Sequence, residues 1–341
     1  MRCPSLREIA DFKPRSLRQP ANVANTVDWD DGDIVSREGQ ARRGMILSVF
    51  GDESADQTNQ RVFAVSGVMG NDDEWQVTKE AWLERTGGKI FHAAECETEY
   101  ANDPDKAKHH ENLKLYKDLC QILAKSPLTG IGVALDLAAH REFFGESLND
   151  IGYYKCLTDV LWQLTLLAEN FNAKIPTSDH PEDEPVKLAF TFDSRIQSNG
   201  NVGTLYAGFI NQPEFATNIE SLLGSKISFD CRTNPRIQIA DLLVRETMKE
   251  LDRRITGHFP CSRLSYQALE ETQKFIFLYR DREFCKQWRE HKEEIEAHYG
   301  MSPRDYVNWL IDTGRVQNRG VHDNWGNRFE YLAYKNKRMM K

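Results

Sequence analysis

The sequence has no apolar stretch approaching the ~20 residues of a membrane-spanning helix; its best run, VLWQLTLLA from Val160 to Ala168, is about half that length. Its first residues, MRCPSLREIADFKPR, carry charge but no apolar segment of the kind a secretory signal needs. The seven cysteines (Cys3, Cys96, Cys120, Cys156, Cys231, Cys261 and Cys285) include no CxxC pair, and their number is odd. That pattern excludes a disulfide framework and a zinc ribbon, and predicts reduced cysteines that mostly pack as small hydrophobes in a cytoplasmic protein. No GxxxxGK[ST] or strand-following GxGxxG is present, so neither a P-loop nor a dinucleotide fold is supported. GxSxG and HExxH are missing too. Basic charge is also in short supply: 44 Lys+Arg face 52 Asp+Glu, a formal charge of −8. A histone-like coat on nucleic acid is excluded on that ground, but a carboxylate cluster holding a divalent ion is not.

What is present suits a folded chain. Hydrophobic residues make up 40% of the 341 positions, enough to bury a core, and the length allows one large domain with additions or two domains. Residues 1–43 hold three prolines and an acidic patch at Asp28, Asp30, Asp31 and Asp33, with little periodicity, and read as an N-terminal extension. From 44 to 255, strand-like and helix-like segments alternate. Met45–Phe50 and the β-branched Arg61–Met69 read as a hairpin with QTN in its connection, and helices follow at Asp72–Arg85 and Pro104–Lys125. Leu128–Asp136 reads as a strand, Asn149–Phe171 as a helix, and Val186–Asp193 and Lys226–Asp230 as strands. PTSDHPEDEP (176–185) reads as a surface loop, and a last helix opens at Pro235 or Arg236. This order predicts an α/β domain with a mixed sheet flanked by helices. Residues 256–341 read as a C-terminal helical region, with helices over Ser265–Tyr279, Asp281–His298 and Ser302–Thr313. Its end is basic and aromatic: residues 301–341 carry eight Lys or Arg against four Asp or Glu, interleaved with Trp309, Trp325, Phe329, Tyr331 and Tyr334. Such a tail suits a strand of nucleic acid, or else packs its rings on the domain with its charges in water.

The chemistry lies in where acids sit. Asp52 and Glu53 follow the first strand, Asp136 and Asp193 end later strands, and Asp241 borders the apolar stripe of IQIADLLV. Open α/β sheets gather ligands outside the carboxyl ends of their strands. Convergent carboxylates repel one another and are stabilised by Mg²⁺ or Mn²⁺, and a pair of such ions serves in-line phosphodiester cleavage. Taken singly, each Asp also fits a turn, a cap or a solvent-facing position. His92 and Glu95 are three apart, as in a ligand or acid–base pair; the same spacing fits a loop-to-helix junction with Glu95 in the first turn. His109 and His110 have no partner in view and are assigned to the surface. Lys226, at a strand start, suits a phosphate contact or a plain surface lysine.

The segments FGDES, FAVSGV, FHAAE and SKISFDCRTNPRIQIADLL, in this order and spacing, resemble the bacterial and phage family called domain of unknown function 3800. The resemblance spans Met45 to Leu251. Asp52, Glu53 and Ser54 match its first motif, with Ala55 where a glycine is usual. His92 and Ala93 match a later one, Ser225 and Lys226 match its "Sk", and Gln238, Ala240 and Asp241 match the closing helix. The resemblance implies a ribonuclease H-like fold with one acid on the first strand, one near a central strand end and one on the last helix. Asp52 and Asp241 take the outer positions; Asp193 is favoured for the middle one over Asp136. It further implies a Mg²⁺- or Mn²⁺-dependent phosphodiesterase acting on nucleic acid, with Asp52, Asp193 and Asp241 as ligands. Glu53 would join them if the chain has left the strand by then, and would face the other side if it has not; Glu95 would be a further catalytic acid, and Lys226 and His92 would contact nucleic acid. Two other readings remain: a non-catalytic scaffold that binds nucleic acid or a protein, for instance in phage–host conflict, and a hydrolase of a small nucleotide phosphoester.

Overall fold

The computed structural model describes residues 46–56, 61–102, 107–145, 151–174, 186–194, 202–203, 206, 222–224, 227–257 and 261–299. The N-terminal extension, most of the hairpin connection, Lys226, the 176–185 loop, the 302–313 helix and the basic aromatic tail lie outside the described residues.

Among the described residues six strands form one sheet: β1 (Ile46–Ala55), β2 (Val62–Gly70), β3 (Thr129–Asp136), β4 (Lys187–Asp193), β5 (Ser228–Asp230) and β6 (Phe275–Arg280). Their order across the sheet is β5-β4-β1-β2-β3-β6. β1, β2 and β3 form an antiparallel meander, whereas β4 lies parallel to β1, β5 to β4, and β6 to β3. The helices are α1 (Asp72–Thr86), α2 (Ala93–Asn102), α3 (Ala107–Lys125), α4 (Leu137–Phe144), α5 (Ile151–Lys174), α6 (Pro235–Thr256), α7 (Leu264–Glu270) and α8 (Arg282–Tyr299). An antiparallel meander extended by parallel strands on the β1 side, with helices on both faces, is the ribonuclease H-like mixed sheet expected of the sequence.

Two local expectations are corrected. The helix expected over Ser265–Tyr279 is instead the short α7 followed by β6, the apolar FIFLYR. It pairs in parallel with β3 because a run of β-branched and aromatic residues beside an open sheet edge satisfies its backbone there. The first strand does not stop at Gly51; it continues to Ala55, so Asp52 and Glu53 are strand residues. Gly51 permits this continuity, since a Cβ there would lie 2.6 Å from the Phe192 ring and 2.8 Å from the Ser66 carbonyl oxygen.

Local chemistry sets the ends of the two helices that frame the site. α1 opens on a capping box, in which the Asn71 side chain accepts from the Glu74 N–H and Glu74 accepts from the Asn71 N–H, both at 2.9 Å. It closes on Gly87, at a left-handed φ of 64°. α6 has Asn234 as N-cap, Pro235 in its first turn and Gly257, also left-handed, at its end.

Pleat alternation sorts the core into two layers. Val49, Val65, Ile131, Val133, Phe190 and Phe192 share a buried cluster with the apolar residues of α5. Phe50 and Val68, from the opposite face, pack in a second cluster with Trp75, Trp82, Leu119 and the apolar stripe of α6. α6 lies close on this second face because β3 offers glycine there: a Cβ on Gly132 would fall 2.0 Å from Thr247 Oγ1. Among the described residues no helix is long and apolar enough to cross a membrane. The six described cysteines are free thiols, four of them buried.

Candidate metal centre

The register brings two of the expected acids side by side. Gly51 of β1 is opposite Phe192 of β4 in the last pair of this parallel ladder, so Asp52 and Asp193 are each the next residue beyond it. Both belong to the α6 face, by alternation from Phe50 and from Phe192 respectively. Asp241 arrives on α6. Ser66, the β2 residue opposite Asp52, donates from Oγ to the carbonyl oxygen of Ala240 at 2.9 Å, tying the helix to the sheet one residue before Asp241. Asp52, Asp193 and Asp241 are all buried, and they come from three elements.

Their electrostatics follow from that placement. Burial raises the Asp52 carboxyl well above its ordinary range; the charges of Asp241, Asp193 and Glu53 add to this, and the Glu53 N–H, donating to Asp52 Oδ1 at 2.8 Å, opposes it. Asp241 is also raised by burial, against the opposing effect of His92 and of the Ala93 N–H, which donates to Oδ2 at 2.7 Å. Glu53 is pushed up to about 7 by burial and by the nearby charge of Asp193. Because the strand runs on through both residues, its side chain leaves the sheet on the opposite face from Asp52.

Asp136 does not join the cluster. It pairs with Val62 of β2, whereas Asp52 pairs with Ser66, so it lies two strands over and four residues further along, about 13 Å in the strand direction. Its carboxylate accepts from the Ala139 N–H at 2.8 Å and caps α4. Of the two rivals for the middle position, Asp193 is the one placed near Asp52.

His92 immediately precedes α2. Its Nδ1 lies 3.4 Å from the Glu95 N–H and 3.3 Å from Glu95 Oε1, accepting from the first or, when protonated there, donating to the second. That is the loop-to-helix junction, with Glu95 in the first turn and its side chain exposed. The same imidazole presents Nε2 to Asp241 Oδ2 at 4.0 Å, so it also borders the acids. His110 is exposed.

Two residues of this site were not given roles by the sequence reading. Arg232, in the turn before α6, places Nε 3.4 Å from Asp193 Oδ2 and Nη1 3.7 Å from Glu95 Oε1. Gln238 is a buried clamp. Its Oε1 accepts from Trp82 Nε1 and from the Phe91 N–H, both at 3.1 Å, and its Nε2 donates to the Arg232 carbonyl at 2.8 Å. One side chain thus fastens the turns bearing His92 and Arg232 to the helix bearing Asp241. The available signal was a polar residue inside the apolar run IQIADLL, three positions before Asp241.

The donor set is carboxylate oxygen, which suits a hard divalent cation and not a thiolate-seeking one. Among the described residues no group of three or more His, Cys, Asp or Glu side chains is placed so that it could hold a metal ion by itself. A Mg²⁺-type ion does not require one, since it keeps several waters and uses one or two carboxylates together with substrate phosphates.

No protein-family model and no curated protein matches this chain. A solved structure, Bst-RNase HIII in complex with Mn²⁺, is similar over 74% of this chain and 73% of its own, at 10% identity and a TM-score of 0.34. A likeness of that size carries no functional argument.

Proposed function

We propose that this protein is a metal-dependent phosphodiesterase that hydrolyses nucleic acid, and a member of the family its motifs resemble. One observation carries the reading: buried Asp52 of β1 lies within reach of the charges of buried Asp241 on α6 and Asp193 on β4, and burial raises the carboxyl pKa of both Asp52 and Asp241. Folding like charges together is unfavourable, and a bound divalent cation offsets it. Asp52, Asp193 and Asp241 would hold Mg²⁺ or Mn²⁺. Such an ion supplies an activated water and charge stabilisation at the leaving oxygen. The chain's own residues do the rest. Ser66 and Gln238 fix the helix and turns around the acids, and His92 borders the edge a phosphodiester would approach. The free cysteines fit a reducing, cytoplasmic setting.

A Mn²⁺ titration by calorimetry tests this without a guess at the substrate. Wild type should bind saturably, and Asp52→Asn and Asp241→Asn should each lose that binding and any cleavage of DNA or RNA. Undiminished cleavage in Asp52→Asn would sink the assignment. Cleavage of mononucleotides but not polymers would move the substrate to a small phosphoester.

A further inference from the structure

Arg232 is a permanently charged side chain set against the acid cluster, and how it is held is informative. Its backbone is fastened, since its carbonyl accepts from Gln238 Nε2 at 2.8 Å. Its guanidinium is held less tightly. Nε donates to Asp193 Oδ2 at 3.4 Å and Nη1 lies 3.7 Å from Glu95 Oε1, both longer than the roughly 2.7–2.9 Å of a strong charge-assisted hydrogen bond. The side chain keeps 25% of its surface in solvent. Arg245, whose charge also reaches Asp241, behaves differently: it is bound to Glu97 at 2.6 Å, and Arg263 pairs with the same carboxylate. Of these cations, Arg232 is the loosely held one at the cluster's rim.

An ion of charge +2 among Asp52, Asp193 and Asp241 would repel a guanidinium this close. The planar donor fork of arginine also matches a phosphate as well as a carboxylate. We propose that Arg232 is a displaceable counter-cation: a divalent ion takes over its partner Asp193, and the freed guanidinium then holds a phosphate of the bound nucleic acid. This rests on the function proposed above and assigns Arg232 a binding role within it.

The two roles give effects of opposite sign in one variant. Arg232→Gln removes a competitor for Asp193, so Mn²⁺ affinity without nucleic acid should tighten about two- to fivefold, the range of a partly exposed ion pair. With Ca²⁺ loaded, which takes the same oxygen donors, the variant should bind short fluorescent DNA and RNA strands more weakly. Its slope of log affinity against log salt should fall by about one phosphate contact. Arg232→Lys keeps the charge, so its Mn²⁺ affinity should stay near that of wild type. Circular dichroism checks that both variants fold; if the Gln variant does not, a Lys variant that tightens several-fold overturns the electrostatic account by itself. Mn²⁺ affinity in Arg232→Gln that is unchanged or weaker, or an unchanged salt slope, overturns this proposal alone. A wild type that binds neither Mn²⁺ nor nucleic acid overturns the proposed function, and this role with it.

Discussion

Gln238→Met is the substitution that most directly probes how the site is assembled. The two side chains are close in volume, so packing changes little, but all three hydrogen bonds of Gln238 vanish. Two of the groups left behind are donors in the core: the Trp82 indole N–H and the backbone N–H of Phe91, both on buried residues. Each buried donor without a partner costs about 1–3 kcal/mol, so the pair should cost about 2–6 kcal/mol. The Arg232 carbonyl lies on a half-buried turn and regains water, adding little. Against a total stability of roughly 5–15 kcal/mol, that is a large loss. Urea unfolding followed by far-UV circular dichroism should show a lower midpoint with an unchanged slope. A double-mutant cycle isolates the cause. Trp82→Phe removes one orphaned donor in advance, so Gln238→Met should cost about 1 kcal/mol or more less in that background than in wild type. A loss below about 1 kcal/mol in the single variant, or strict additivity in the cycle, would refute the clamp.

Two further predictions separate the acids from one another. Glu53 has a folded-state pKa of about 7 against an ordinary 4.5, and Asp52 is raised as well, so between those pH values the folded chain holds more protons than the unfolded one. Without divalent metal, stability should therefore fall as pH rises from about 4.5 to 7, by at most roughly 3 kcal/mol from Glu53. Asp52→Asn should raise the pH 7 melting temperature in EDTA; a melting temperature that rises with pH in wild type would contradict the assignment. Asp136→Ala should cost about 1 kcal/mol through loss of the α4 cap while leaving Mn²⁺ affinity intact. A weakened Mn²⁺ titration in that variant would put Asp136 back among the acids.

The sequence by itself determined the α/β class and most element positions, and it singled out Asp52 and Asp241 as candidate acids. Hydrophobic periodicity marks helices and strands locally, and an Asp bordering an apolar helical stripe is visible without knowing what it meets. The Asp-Glu-Ser and Gln-x-Ala-Asp motifs pointed to Asp52 and Asp241 for the same reason: both are local patterns. FIFLYR was misread because a short apolar run has no periodicity to separate strand from helix, and only the open edge of β3 decided it. Asp136 and Asp193 look alike as strand-ending acids. What distinguishes them is register: β4 runs parallel to β1 and carries Asp193 alongside Asp52, while Asp136 ends β3 beyond that row and turns to cap a helix. The weak hold on Arg232 and the three bonds of Gln238 also belong to tertiary structure, because each depends on segments distant in sequence being brought within hydrogen-bond reach. Pairing partners, register and charge neighbours are properties of the packed chain, and at this site they decide which acids face one another.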